Sequence, residues 1–286
     1  LEGFKKIAST QKWLEVHGRK KWAYFYEPEN VRRQQEFFDC FLKGIPTSVT
    51  EWPKVRLEAR ERFYVGSMKS ENEWPISRTQ YTKLYLDTKP GSLKRQSVSQ
   101  EQSFSYDARS EGPGPHRAQF DLAFEKSTEL IGHMKLKLWM APEGADDMDV
   151  FVAIQKLDSA GNLVPFAFWS HFDDGPIALG WLRASHRELD ETKSTAYQPV
   201  LVHLRELKIE NGAIVPLEIE IWPSGTRFEA GEQLRLVVQG VDVYQYPKPT
   251  MADRHEDTVN RGRHVIYAGG KYDSHLLVPV IPEETR

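Results

Sequence analysis

A chain of 286 residues with 40% apolar and 28% charged content is long enough for one large or two ordinary domains, and has the balance of a soluble globular protein. Its formal net charge of −3 gives no electrostatic footprint for nucleic acid, and no Lys/Arg run suggests an acidic membrane surface. No apolar run approaches the roughly 18 residues needed to cross a bilayer, and nothing reads as a secretory leader. Cys40 is the only cysteine and can form no internal disulfide, which fits a reducing compartment, so a cytoplasmic location is expected. Lying among Phe37, Phe38 and Phe41, it reads as a small core residue and not as a nucleophile.

Leu1, Phe4, Ile7 and Ala8 recur as in a helix. Trp13, Leu14 and Val16 form a short apolar run of strand length. His17-Gly18 follows at once, where the chain must turn and glycine tolerates positive φ. A charged and aromatic loop leads to Pro28, which suits the first turn of a helix because its missing N–H would be unpaired there. Val31, Phe38 and Phe41/Leu42 continue that helix, and Gly44 and Pro46 stop it. A strand that ends in a histidine and returns through a helix puts the imidazole at the strand's carboxyl edge, where open α/β sheets hold ligands. His17 is therefore the candidate catalytic residue; a loop histidine without a role is the bland alternative.

After Pro46 the pattern changes to alternation. Val55 to Arg60, Thr82 to Leu86, His133 to Leu138 and Leu217 to Ile221 alternate apolar and polar residues. Val150 to Ile154, Leu234 to Val238, His264 to Tyr267 and Leu276 to Ile281 are further short β-rich runs. Turn residues separate them, among them Lys89-Pro90-Gly91, Gly112-Pro113-Gly114-Pro115 and Asn211-Gly212. Many short strands of this kind predict a β-sandwich or jelly roll, each sheet with one packed and one wet face. The Ser/Gln-rich piece from Ser92 to Ser103 is the nearest to a flexible insertion. Trp52, Trp74, Trp139, Trp169, Trp181 and Trp222 lie at strand ends and are expected to pack in the core or between domains, the sharper alternative being a platform for sugars.

Catalytic motifs are mostly missing. No Gly-x-Ser-x-Gly elbow occurs, and Ser224, in Pro-Ser-Gly, lies in a turn of the β-rich half. Neither His-Glu-x-x-His nor paired cysteines are present, so no metal and no cofactor are expected. Asp146, Asp147 and Asp149 read as a solvated strand entrance, lacking the glycine and distal glutamate of a calcium loop. Gly269-Gly270 reads as a turn. Ser185, His186 and Asp190 are of triad residue types, but nearness in sequence says little about geometry.

Several stretches resemble a known family. Trp13-Leu14-Glu15-Val16-His17-Gly18-Arg19-Lys20-Lys21-Trp22, then Gln34-Gln35-Glu36-Phe37-Phe38-Asp39 and Phe41-Leu42-Lys43-Gly44, look like the end of the α/β-hydrolase domain in cocaine-esterase-like and X-prolyl dipeptidyl-peptidase-like serine hydrolases. Asp147-Met148-Asp149-Val150-Phe151-Val152, Gly180-Trp181-Leu182-Arg183-Ala184-Ser185-His186-Arg187, Ile221-Trp222-Pro223, Phe228-x-Ala230-Gly231-x-x-Leu234-Arg235-Leu236 and Gly269-Gly270-x-x-x-Ser274-x-Leu276 follow in the order of that family's C-terminal non-catalytic jelly roll, of galactose-binding-like architecture. The resemblance implies a mainly β chain in two parts. Residues 1–50 are a strand-His-helix remnant of a catalytic domain, and 51–286 are the jelly roll.

By the same resemblance His17 is the general base of a Ser-Asp-His triad, the only member with a matching position here. The chain is then a fragment whose serine and aspartate lie N-terminal to Leu1, and it is expected to be inactive alone. The implied partners are a small ester or peptide substrate and the missing catalytic half, with neither nucleic acid nor membrane; the jelly roll often helps such enzymes oligomerise, so a homo-oligomer is a further expectation. Residues 1–44 are expected to need a partner: the jelly roll, another chain or a separate fragment. The alternative from another class is a non-catalytic β-sandwich binding carbohydrate or a protein, which would show two or three exposed aromatics on a concave face. Independent chemistry at Ser185, His186 and Asp190 is a third option.

Overall fold

The structure, a computed structural model, describes residues 1–168, 172–246 and 255–283. The N-terminal part holds helix α1 (Glu2–Lys6), strand β1 (Leu14–Val16), helix α2 (Lys21–Phe25) and helix α3 (Pro28–Lys43). The β-rich remainder opens with β2 (Val55–Arg62), β3 (Val65–Glu71), β4 (Gln80–Asp87), β5 (Ser92–Lys94), β6 (Gln102–Asp107) and β7 (Arg117–Ala123). It continues with β8 (Thr128–Glu143), β9 (Asp149–Leu157), β10 (Leu163–Val164), β11 (Ala178–Arg183), β12 (Val215–Phe228), β13 (Gln233–Gln239), β14 (Arg263–Ala268) and β15 (His275–Ile281). The architecture is mainly β, as the alternating runs predict. No helix among the described residues is long and apolar enough to cross a membrane.

Hydrogen bonds link these strands into two walls. One runs β1-β2-β12-β8-β15-β4, with β3 beside β2, and β14 joining β8 to β6. The other is β7-β13-β9-β10, with β11 beside β9; β5 joins the two. Between them lies a core that includes Leu84, Tyr106, Phe120, Leu136, Ile219 and Leu236, all at most 1% exposed. Most partners are antiparallel and the apolar residues of β12 alternate with polar ones, so hydrophobic burial fixes the register. In β9 every residue is buried. Val150, Val152 and Ile154 enter the core, while its other face is covered by chain from beyond β13: Phe151 meets the His255 ring and Gln155 donates to the Tyr244 hydroxyl. The expected wet face is therefore dry on this strand. Nor is Ser92 to Ser103 an insertion apart: β5 lies within it, and the Val98 carbonyl accepts the Gly270 N–H at 2.9 Å.

A second, smaller core attaches the N-terminal part. Val55, Leu57, Ala59, Trp74, Ile76, Ile131 and Ile281 are buried together, and Leu1, Phe4, Leu14 and Val16 pack on them. β1 pairs in parallel with β2, Leu14 opposite Val55 and Val16 opposite Leu57. The opposite side of the segment is bare: on α3 only Asn30 is buried, Phe38 is 52% and Leu42 77% exposed. Cys40 is half-buried on this helix and is not part of either core. Gly44 ends α3 at φ 69°, the left-handed cap expected of glycine.

Three histidines, His133, His264 and His275, are buried, and the first two show most clearly how burial makes the fold sensitive to acid. His264 is completely buried; its Nε2–H donates to Asn260 Oδ1 and its Nδ1 accepts the Tyr106 hydroxyl, each at 3.1 Å. His133, on β8, is buried with no hydrogen-bond partner among the described residues on either ring nitrogen. Burial lowers both pKa values to about 4. Unfolded, both would titrate near 6.5, so their contribution is complete above that pH and is lost as the pH falls toward 4, by up to about 1.4 kcal/mol per pH unit for each. Urea unfolding at stepped pH should show this loss, and His133→Phe should flatten it, since a phenyl ring takes up no proton on unfolding. An unchanged slope in His133→Phe would count against the assignment.

Candidate functional site

His17 stands one residue past the end of β1, at the carboxyl edge of a parallel pair, as the sequence places it. Its half-buried ring stacks on Tyr24 of α2, centroids 3.8 Å apart and planes 13° from parallel. The Tyr24 hydroxyl donates to Glu15 of β1, so strand and helix jointly fix the ring's face. Sequence reading took residues 19–27 as loop and missed α2, a five-residue helix with no apolar periodicity to read.

The turn itself is built against the sandwich. Gly18 N–H donates to Glu58 Oε2 of β2 at 2.8 Å, and Arg19 N–H to His17 Nδ1 at 3.3 Å. Lys20 N–H donates to the Tyr64 hydroxyl, and its ammonium reaches the carbonyls of Phe168 and Phe172 and the Asp173 carboxylate. Glycine is required at 18 for a reason other than the one read from sequence. Its φ is not positive, but a Cβ there would lie 2.3 Å from Cδ of Arg60. Arg60 has little freedom to yield, because its guanidinium donates to the Ile177 and Gly225 carbonyls and to Ser224 Oγ.

The ring opens on a recess of about 480 Å³ lined by Glu15, Tyr24, Arg33, Phe37, Phe38 and Trp52, among others. Burial lowers the His17 pKa; Glu58, the Arg19 N–H, Glu15 and Glu27 act to raise it, in that order. Among the described residues no carboxylate hydrogen-bonds its ring, and Nδ1 is occupied as an acceptor. In this state the proton of the neutral ring sits on Nε2, the tautomer that cannot receive a proton there.

The other sequence candidates form no site. Ser185 is completely buried. His186 pairs with His203, Nδ1 to Nδ1 at 3.3 Å, and Asp190 accepts from Thr192. Asp147 is bonded to Lys208 and the Ser185 N–H, and Asp149 to Nε and Nη2 of Arg183. No group of three or more His, Cys, Asp or Glu among the described residues could hold a metal ion. Gly269-Gly270 is a turn at positive φ. Of the tryptophans, Trp74 is buried, Trp52 lies against the Arg33 guanidinium, and Trp139 donates to Asp273. Trp181 and Trp222 depart from the packing expectation: they form an edge-to-face pair at 5.1 Å, 39% and 45% exposed. Trp169 lies outside the described residues.

With this geometry in place, the comparisons with known proteins fit it. Residues 47–277 match the model of the X-Pro dipeptidyl-peptidase C-terminal non-catalytic domain, and the chain belongs to that family. Two crystal structures of a CocE/NonD family hydrolase from Staphylococcus aureus are 44% and 45% identical to it, both with TM-score 0.93 over 98% of this chain. The chain spans about half of theirs, 50% and 51%. An α-amino acid ester hydrolase (14% identity, TM-score 0.65, 94% of this chain and 50% of that one) shares the fold. So does an aminopeptidase from a marine sediment Thaumarchaeota archaeon (13%, 0.64, 92% and 45%). No curated protein matches.

Gly18→Ala tests the local geometry. The methyl group has to displace Arg60 or the turn, and stability should fall by about 1–3 kcal/mol, read as a lower urea midpoint with unchanged m-value. A midpoint equal to wild type would show that the turn has room to spare.

Proposed function

We propose that this chain is the C-terminal portion of a serine hydrolase acting on ester or amide bonds, X-prolyl dipeptides among the substrate classes, and that His17 is its general base. Residues 1–50 then belong to the catalytic α/β domain and 51–286 form the non-catalytic jelly roll. The nucleophilic serine and the triad aspartate come from polypeptide outside these residues, and the setting is cytoplasmic. The observation that carries this reading is the position of His17, at the carboxyl end of a parallel strand and open to a recess bounded by the uncovered apolar side of α3.

In this mechanism the serine hydroxyl attacks the acyl carbon while Nε2 takes its proton; the imidazolium then returns that proton to the leaving group, and water repeats the cycle on the acyl-serine. An aspartate on Nδ1 would replace the Arg19 contact and move the ring proton to Nδ1, freeing Nε2 to act. The tautomer favoured here is set by the Arg19 N–H on Nδ1.

The test is a polypeptide joining these residues to the catalytic half. It should hydrolyse p-nitrophenyl esters or X-Pro-p-nitroanilides, with kcat lowered about 10³-fold or more by His17→Ala, while the 286-residue chain stays at background. Full activity in His17→Ala would refute it.

One observation favours a second reading, a binding module for carbohydrate or a protein: the exposed Trp181–Trp222 pair. Oligosaccharides that quench tryptophan fluorescence in the chain, but not in Trp222→Ala, would support it. No quenching would remove it.

A further inference from the structure

The hydrolase reading leaves one buried charge without a task. Glu58 lies mid-way along β2, a strand of the sandwich, with its side chain 4% exposed and its nearest ion-pair partner, Arg19 Nε, as far as 4.0 Å away. Burying a carboxylate is costly unless donors satisfy it. Among the described residues its hydrogen-bond donor is the Gly18 N–H, immediately past the imidazole. Glycines from three separate parts of the chain make room around it. A Cβ on Gly66 would lie 2.8 Å from Glu58 Cγ, and one on Gly225 2.8 Å from the Glu58 carbonyl oxygen. One on Gly18 would lie 3.6 Å from Glu58 Oε2 and run into Arg60.

We propose that Glu58 is a positioning residue for His17: the sandwich, although it carries no nucleophile, clamps the turn that presents the imidazole and places a fixed negative charge beside it. This rests on the reading of His17 as the base. Other charges face the ring from each neighbouring element, but they are engaged elsewhere. Glu15 on β1 is shared by the Tyr24 hydroxyl, Arg33 and Arg56. Glu27, ahead of α3, is paired with Arg19 at 3.0 Å, and Lys20 is turned away onto Asp173. Glu58 is the largest of the influences that raise the His17 pKa against the lowering effect of burial. A general base must hold a proton in the transition state, so a carboxylate that favours the imidazolium without touching the ring assists the step without itself occupying either ring nitrogen.

The experiment is an NMR titration of His17 in the 286-residue chain, compared with Glu58→Gln, which keeps the side chain's size and an acceptor oxygen but removes the charge. His17 should titrate at lower pH in Glu58→Gln, and the Gly18 amide proton should move upfield as its charge-assisted bond weakens. Glu58→Asp, which keeps the charge, should restore the titration at least in part. An unchanged His17 titration in a folded Glu58→Gln overturns the proposal, since a merely structural glutamate would alter stability and not this curve. If Glu58→Gln does not fold, the wild-type chain still decides: its Gly18 amide must respond to ionisation of both Glu58 and His17, and an amide blind to Glu58 overturns it. No step of this requires turnover, so its failure is distinct from failure of the hydrolase reading. In the active, joined polypeptide, Glu58→Gln should lower kcat on the order of 10- to 100-fold and move the acid limb of the pH profile to lower pH.

Discussion

The pairing of three residues, Leu14 to Val16, with the start of β2 is the constraint on which the rest of the N-terminal part depends. A strand of three residues cannot hold its own conformation against chain entropy. It is held because Leu14 and Val16 enter the small core around Val55, Leu57 and Ala59, while the Leu14 N–H donates to the Lys54 carbonyl at 2.9 Å. The parallel register fixes where the strand ends relative to β2, and so puts Gly18 within reach of Glu58. His17 is placed by a strand of the sandwich as much as by its own.

The two sides of the segment differ in kind. Toward the sandwich, α1 and β1 close a core. Away from it, α3 presents Val31, Phe38 and Leu42 to solvent, an apolar stripe at helical spacing, while Phe41 turns back onto the Trp13 ring at 5.9 Å. Burying each such side chain would contribute about 1.5–3 kcal/mol, a strong drive toward a partner. The proposed catalytic half satisfies that drive at the same face onto which the His17 recess opens. The recess and the uncovered stripe share Phe38, so the proposed chemistry and the proposed docking use one face.

Local pattern made much of this legible. The alternation of Val55 to Arg60 and of Leu217 to Ile221 gave the strands, and His17-Gly18 between a short apolar run and Pro28 gave the strand-turn-helix unit. What stayed hidden depends on contacts between distant residues. Glu58 reads as the wet member of an alternating strand, and contacts with a turn forty residues earlier and with Gly66 bury it. Gly18 reads as a residue needed for its φ, whereas its neighbour Arg60 sets the requirement. The cover over β9 was equally hidden, because it comes from beyond β13. α2 has no pattern of its own and is held by the Tyr24 ring on His17.

The most direct test of this account is hydrogen exchange at the Leu14 and Gly18 amides of the 286-residue chain. If the sandwich organises the segment, both amides should be protected, and should open together with the ends of β2. Exchange at unprotected loop rates, in a chain whose β8 and β12 amides remain protected, would contradict the account, as would a separate cooperative melt of residues 1–44.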